Sequence, residues 1–270
     1  MTVDLRRALV VAEELALAAG ADLVQRRAEA AARPESKGVR RELVTAADRA
    51  AEAIVVGGLR RAFPEHAVLA EEGGLTAAGG AEWTWIVDPL DGTTNYVHGL
   101  PHFAVAIALV RGGEPALGVV HAPALGDTYS GARGLGAVVR RANGSSRPLR
   151  VSGTTELADA LLATGFSYVR NEPGRDDNSG HVAALLPLCR DLRRLGSAEL
   201  DLCYVAAGAF DGYWELYLAP YDKAAGALLV REAGGCVSDW AGGDDWLYGD
   251  RVLASNGALH AELRRRLAGG

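Results

Sequence analysis

Apolar residues at helical spacing open the chain. Leu5, Leu9, Leu15, Leu17, Leu23 and Val24 predict an amphipathic helix over residues 4 to about 32, ending near Pro34. Residues 34–43 are polar and basic and read as a loop or an extended arm. Thr45 is placed to cap a second helix over 46–62, which closes before Pro64. The short apolar run 67–70 delivers Glu71 and Glu72 to a Gly-rich loop. WTWIVD, residues 83–88, reads as a buried strand broken by PLDGT. FAVAIALV (103–110), the turn RGGEP and ALGVVHAP (116–123) predict an antiparallel hairpin. DTYSGARG and GAVVRRA follow, with a turn at Asn143-Gly144.

From residue 156 the texture changes to alternating strands and helices. LLATGF (161–166) predicts a strand, 180–190 and 198–208 helices, and GYWELYL (212–218) a strand. A helix over 222–233, a strand at VLAS (252–255) and a last helix over 257–267 complete the pattern. Together they predict an α/β layered protein. It is a single domain of residues 1–270, with an N-terminal α+β subdomain (1–155) and a C-terminal α/β subdomain (156–270).

Composition narrows the function classes. The 270 residues are 49% hydrophobic and 23% charged, an ordinary globular balance that excludes disorder and collagen-like structure. The net charge of −6 offers no bulk positive field for nucleic acid or an anionic membrane, so neither is an expected partner. Cys189, Cys203 and Cys236 are odd in number and widely spaced, and read as small buried residues of a reducing compartment. Glu13 and Glu14 interrupt the N-terminal apolar run, which removes a signal-peptide layout, and no apolar run is long enough to span a bilayer. A cytoplasmic location is the expectation. Lysine occurs only at Lys37 and Lys223.

The candidate chemistry lies in acidic residues at the ends of apolar segments. Asp88 ends the strand-like run and Asp91 follows three residues later. Buried unpaired carboxylates are costly and need a compensating cation. Hard oxygens around a turn suit Mg²⁺ better than zinc. Gly92, Thr93 and Thr94 follow at what could be a helix start, where backbone N–H groups receive a phosphate. Singly, each feature has a plain structural reading. DPLDG can be a simple turn with Asp88 as a cap, Glu71-Glu72 a solvated pair, and Asp222, after Pro220, a helix cap. The pattern also differs from the D-x-D nucleophile motif of haloacid-dehalogenase phosphatases. His98 and His102 flank the turn, but imidazole is a poor Mg²⁺ ligand, so they read as structural or rim residues.

Four segments carry a resemblance: AEEG from residue 70, WTWIVDPLDGTTNYVHGLPHFAVAIAL from 83, LGSAELDLCYVAAGAFDGYWEL from 195 and PYDKAAGALLVREAGG from 220. In order and separation they resemble the inositol monophosphatase family, and ELVTAAD at 42–48 extends the resemblance over essentially the whole chain. It implies a layered α/β/α/β/α sandwich shared with fructose-1,6-bisphosphatases, a homodimer, and Mg²⁺-dependent, lithium-sensitive hydrolysis of a small-molecule phosphate monoester. Residue by residue, Glu71, Asp88, Asp91 and Asp222 match the family's metal-binding carboxylates, and the Leu90 carbonyl a further ligand. Thr93 with Glu71 matches the pair that orients the attacking water, and Asp48 the partner of Thr93. Gly92, Thr93 and Thr94 match the phosphate-binding turn, bordered by Asp91 and Asp222. Gly196, Ser197, Ala198 and Glu215 match contacts to the alcohol, and Lys37 a basic residue near the site.

Three positions depart from the family pattern. Tyr221 stands where tryptophan is usual, Ala70 where glycine is usual, and Glu199 adds a negative charge expected near the substrate end. The resemblance points first to myo-inositol monophosphate as substrate. Histidinol phosphate, or another sugar or nucleotide phosphate, is the alternative, and a regulatory binding protein with secondary catalysis is a second.

Overall fold

The computed structural model describes residues 3–32, 35, 36, 43, 44, 46–76, 81–169 and 171–268. Lys37 and the proposed cap Thr45 lie outside these residues. The first half of the described chain runs α1 (Leu5–Ala32), β1 (Glu35–Ser36), β2 (Leu43–Val44), α2 (Ala46–Ala62), β3 (Ala67–Ala70), β4 (Gly74–Thr76), β5 (Trp83–Asp91), α3 (Thr93–Val97), β6 (Ala104–Arg111), β7 (Glu114–Ala122), β8 (Asp127–Ala132), β9 (Gly136–Arg140) and β10 (Ser146–Pro148). The second half runs β11 (Leu161–Thr164), α4 (Ser179–Leu185), β12 (Asp191–Arg193), α5 (Ala198–Ala206), β13 (Gly212–Leu216), α6 (Ala224–Glu232), β14 (Cys236–Ser238), β15 (Arg251–Ser255) and α7 (His260–Ala268).

An eight-stranded sheet has the order β10-β9-β8-β7-β6-β5-β3-β4, antiparallel except where β3 runs parallel to β5. A five-stranded sheet has the order β12-β11-β13-β15-β14, with β11 parallel to both its neighbours. β6 shows why five layers result. Its side chains alternate between faces, and both faces are apolar. Val105, Ile107 and Leu109 join the core under α1 and α2, while Ala104, Ala106 and Ala108 join the core shared with α5 and α6. That second core extends to Tyr213, Val252 and Ala254 of the smaller sheet. Trp214, Leu216 and Leu253 face the other way, onto a core with Leu185 and Leu263 of the outer helices α4 and α7. The layers are therefore α1/α2, large sheet, α5/α6, small sheet, α4/α7, the α/β/α/β/α sandwich.

Several local expectations are corrected. The strand at 83–88 does not stop at Asp88. β5 continues to Asp91, with a register irregularity between Asp88 and Asp91, and pairing resumes at Asp91 with Ala104. Pro89 cannot donate to a ladder, so the irregularity falls where proline is tolerated. The helix expected over 180–190 ends at Leu185, short of Pro187; turns fill 186–190, and β12 begins at Asp191. The helix expected from 222 is a short 3₁₀ turn, Pro220–Asp222, followed by α6. Of the three cysteines only Cys203 is buried; Cys189 is partly exposed and Cys236 exposed, and all three are free thiols. Among the described residues no helix is long and apolar enough to cross a membrane.

Candidate active site

Strand register brings the first two carboxylates together. Ala70 pairs with Val87 in the parallel β3–β5 ladder, and the Glu71 N–H continues it by donating to Val87 O at 3.2 Å. Glu71 therefore follows the end of β3 beside Asp88. Ligands in open α/β sheets gather outside the carboxyl ends of such strands. Asp88 Oδ1 accepts the Leu90 N–H at 2.9 Å, which folds the chain back at the irregularity and carries Asp91 to the same end. Asp222 arrives from the other side, on the 3₁₀ turn before α6, where its Oδ2 accepts the Ala219 N–H at 2.7 Å. Glu71, Asp88, Leu90, Asp91 and Asp222 all line one cavity.

Asp91 also ties the two halves of the site. Its Oδ2 accepts from the Ser197 hydroxyl at 2.6 Å and the Glu199 N–H at 2.9 Å, and its Oδ1 from the Ala198 N–H at 3.2 Å. The Ala198 and Glu199 N–H groups are free first-turn donors of α5, so a side chain about a hundred residues away caps that helix. Three accepted bonds fix the carboxylate while leaving lone-pair capacity for a ligand.

Gly92 permits the next turn. Its φ is +90°, and a Cβ there would lie 2.8 Å from His102 O. It starts the short α3, and the Thr93 hydroxyl turns back to Asp48 Oδ1 at 3.2 Å and Leu90 O at 3.1 Å. Asp48 is fully buried on α2. Gly92 and Thr93 line the cavity. Thr94 does not, and instead interacts with Tyr168, which does. His98 and His102 are likewise not in the cavity wall.

The residues expected to contact the alcohol, Gly196, Ser197, Ala198 and Glu215, line the same cavity. Glu215 lies on β13, a central strand of its sheet, and is only 8% exposed. It accepts a hydrogen bond from the Tyr213 hydroxyl, and burial pushes its carboxyl up to about 7. Glu199 departs from expectation. It is fully buried and absent from the cavity wall, because its carboxylate accepts the N–H groups of Ala225 and Gly226 at the start of α6. It is a helix cap, not a charge offered to substrate. Asp201 and Arg194, not picked out from sequence, do line the cavity. Asp201 lies four residues after Ser197, one helical turn on, and that spacing was the available signal.

The electrostatics follow from crowding acids out of water. Burial first, then the charges of Glu71, Asp91 and Asp222, holds the Asp88 carboxyl well above the usual range. Burial and the charges of Glu71 and Asp91 do the same to Asp222. Burial raises Asp91 too, against the opposing pull of its hydrogen bonds. The Arg194 charge acts on Glu215 and Asp201. The donor set is all oxygen, anionic and positioned by backbone donors, which fits a hard divalent cation. Among the described residues no three such side chains are already drawn together as a closed metal cage; the four carboxylates line the cavity within range of one another's charge.

The sequence model of the inositol monophosphatase family matches residues 4–268. The chain belongs to that family. Its likeness to members of the inositol monophosphatase family is close. It is 46% identical over 219 residues to a protein named Nus factor SuhB from Pseudomonas aeruginosa, covering 80% of this chain and 79% of that one. It is 42% identical over 265 residues to an inositol-1-monophosphatase from Synechocystis, covering 98% and 90%. The solved structure of an inositol monophosphatase from Anabaena superposes with a TM-score of 0.87 at 42% identity, covering 99% of this chain and 97% of that one. The extragenic suppressor protein suhB of Bartonella henselae superposes with a TM-score of 0.90 at 37% identity, covering 98% and 99%. The protein is thus a phosphatase of the inositol monophosphatase family, a family generally dependent on metal.

Proposed function

We propose that this protein is a Mg²⁺-dependent phosphomonoesterase that hydrolyses myo-inositol monophosphate to inositol and phosphate. The observation that carries the proposal is the meeting of Glu71 after β3, Asp88 and Asp91 of β5, and Asp222 of the 3₁₀ turn at one cavity that also holds Gly92 and Thr93. These carboxylates and the Leu90 carbonyl are the groups that would hold the metal. Once bound, Mg²⁺ supplies Lewis-acid stabilisation of the phosphoryl and leaving-group oxygens and lowers the pKa of the attacking water.

The chain's own residues do the rest. Glu71 and the Thr93 hydroxyl orient the water. A hydroxyl has one proton, so Thr93 donates it to Asp48 or Leu90 O and turns a lone pair to the water's proton. Ser197 and the first turn of α5 hold Asp91 still, so that little reorganisation accompanies the reaction. Gly92 and Thr93 receive the phosphate. Gly196, Ser197, Ala198 and Glu215 receive the alcohol. Water attacks phosphorus, the ester P–O bond breaks, and the alcohol leaves with a proton.

A second reading is that the fold also serves as a regulatory binding protein. The name Nus factor SuhB borne by its relative from Pseudomonas aeruginosa favours it. The full carboxylate set argues that catalysis is retained beside any such role. Phosphate release from myo-inositol 1-phosphate and from histidinol phosphate, each with Mg²⁺, tests the proposal. Preferred turnover of the inositol ester supports it. Preference for histidinol phosphate moves the substrate to the alternative, and turnover of neither favours the regulatory reading.

A further inference from the structure

Asp201 carries a feature that the phosphatase chemistry above does not use. It stands in the first turn of α5, on the face that Ser197 begins, and lines the active-site cavity with Glu215 and Arg194. It is 2% exposed, and its Oδ1 has no hydrogen-bond partner. Neighbouring acids differ. Asp91 has both oxygens filled by the start of α5, Glu199 has both filled by the start of α6, and Glu215 holds the Tyr213 hydroxyl. A buried acceptor left open forfeits its hydration without return, so such groups normally find a donor. Its charged neighbours are Glu215, Asp91 and Arg194, so Asp201 stands between Asp91, proposed to hold the metal, and the Glu215 proposed to face the alcohol.

We infer that Asp201 is a substrate-reading residue: its carboxyl accepts a hydrogen bond from a free hydroxyl of the alcohol, beside the hydroxyl accepted by Glu215. The inference rests on the polyol-phosphate reading proposed above and names how the polyol is recognised. Two acceptors lining one cavity, with the charge of Arg194 acting on both, select an alcohol with at least two free hydroxyls. An ester with none leaves Asp201 as it is in the empty enzyme. A site built to hydrogen-bond a hydroxyl discriminates strongly against the analogue that lacks it. The plain structural alternative is that Asp201, as an acid in the first turn, serves only the positive end of α5.

The test uses the full chain with Mg²⁺ and two esters of one ring: myo-inositol 1-phosphate and cyclohexyl phosphate, which has no free hydroxyl. Asp201→Leu keeps the approximate shape and removes both acceptor oxygens. Its KM for the inositol ester should rise about tenfold, equivalent to ~1.4 kcal/mol. The kcat should stay within about threefold, and KM for cyclohexyl phosphate within about twofold, because an interaction made equally in ground and transition states moves KM alone. Thermal unfolding reports whether the variant is folded; if it is not, Asp201→Ser is read in the same way. An unchanged KM for the inositol ester means that no substrate hydroxyl bonds to Asp201 and overturns the inference. An equal loss on both esters assigns Asp201 to the helix end and also overturns it. Failure of the underlying reading is visible separately: wild-type enzyme that does not prefer the inositol ester to cyclohexyl phosphate removes the polyol reading before any variant is made, and the inference with it.

Discussion

A methyl group at residue 165 should displace Glu215, the residue proposed to read the alcohol, while sparing the metal side of the site. Gly165 follows β11 and lines the cavity. A Cβ built there would lie 1.9 Å from Glu215 Oε2 and 2.2 Å from its Cδ. To regain ordinary contact the carboxyl must retreat by about 1.5 Å. It is the far end of a rotatable side chain, so the backbone can stay and the cost falls on Glu215. Losing the Tyr213 hydrogen bond to a charged group costs roughly 1.5–3 kcal/mol, and an off-rotamer side chain about 0.5–1.5 more. The stiffer unfolded chain returns about 0.4–1 kcal/mol. The net loss is about 1–4 kcal/mol, a fall in Tm of roughly 2–7 °C for a chain of this size. Gly153→Ala is the control, because nothing lies within 4 Å of a Cβ there. In steady-state assays with Mg²⁺, Gly165→Ala should raise KM for myo-inositol 1-phosphate about tenfold and leave p-nitrophenyl phosphate nearly unchanged. Wild-type Tm and KM in this variant would refute the placement of Glu215. An equal loss of kcat on both esters would refute its role in reading the alcohol.

Three other outcomes are expected. Thr93→Ala removes the hydroxyl that orients water, so kcat should fall on the order of 10²–10³-fold with little change in KM, measured by phosphate release. Asp91→Asn removes a charged ligand and should cost several kcal/mol of transition-state stabilisation, roughly 3 or more; Glu72→Gln, outside the cavity wall, should cost far less, and equal losses would break the division of the acidic cluster. His260, bonded through both ring nitrogens to Ser238 and Ser255 at 2.9 Å, is held to about 4 by burial and the Arg264 charge. An unfolded imidazole titrates near 6.5, so between about 6.5 and 4 only the unfolded chain gains this proton. That contribution to stability is complete above 6.5 and lost as pH falls through the window. Urea midpoints at pH 7.5 and 5 should therefore drop further in wild type than in His260→Gln, and parallel drops would remove His260 as the cause.

The legible parts of the fold were those whose pattern is local. The β6–β7 hairpin reads directly because both faces of each strand are apolar and RGGEP separates them. α1 forms where the spacing places it, but its buried face is Ala8, Ala12, Ala16, Ala19 and Leu23, while Leu17 and Val24 of the expected apolar face are exposed; α2 reads from its stop before Pro64. By contrast β4, β10 and β12 are three-residue strands, too short to show alternation, and β12 directly follows a stretch patterned like a helix. In the site, the spacing of Asp88, Asp91 and Asp222 from apolar runs marked them as unusual, but their meeting depends on the β3–β5 register and on the turn at Pro220. Glu199 was misread because the groups it caps lie on another helix, twenty-six residues on. Asp201 was overlooked because a lone acid in a helix's first turn is ordinary; only its burial and open oxygen distinguish it.

The metal dependence of catalysis is the most direct test of the site. Phosphate release from myo-inositol 1-phosphate is followed after exhaustive EDTA treatment, with metal removal verified, and then as Mg²⁺ is added back. Activity should be absent without metal and return with Mg²⁺. It should need more Mg²⁺ at acidic pH, because raised carboxyl pKa values at Asp88 and Asp222 make protons compete for the same oxygens. Full activity in the metal-free enzyme would contradict the assignment of Glu71, Asp88, Asp91 and Asp222 as a metal-binding catalytic centre.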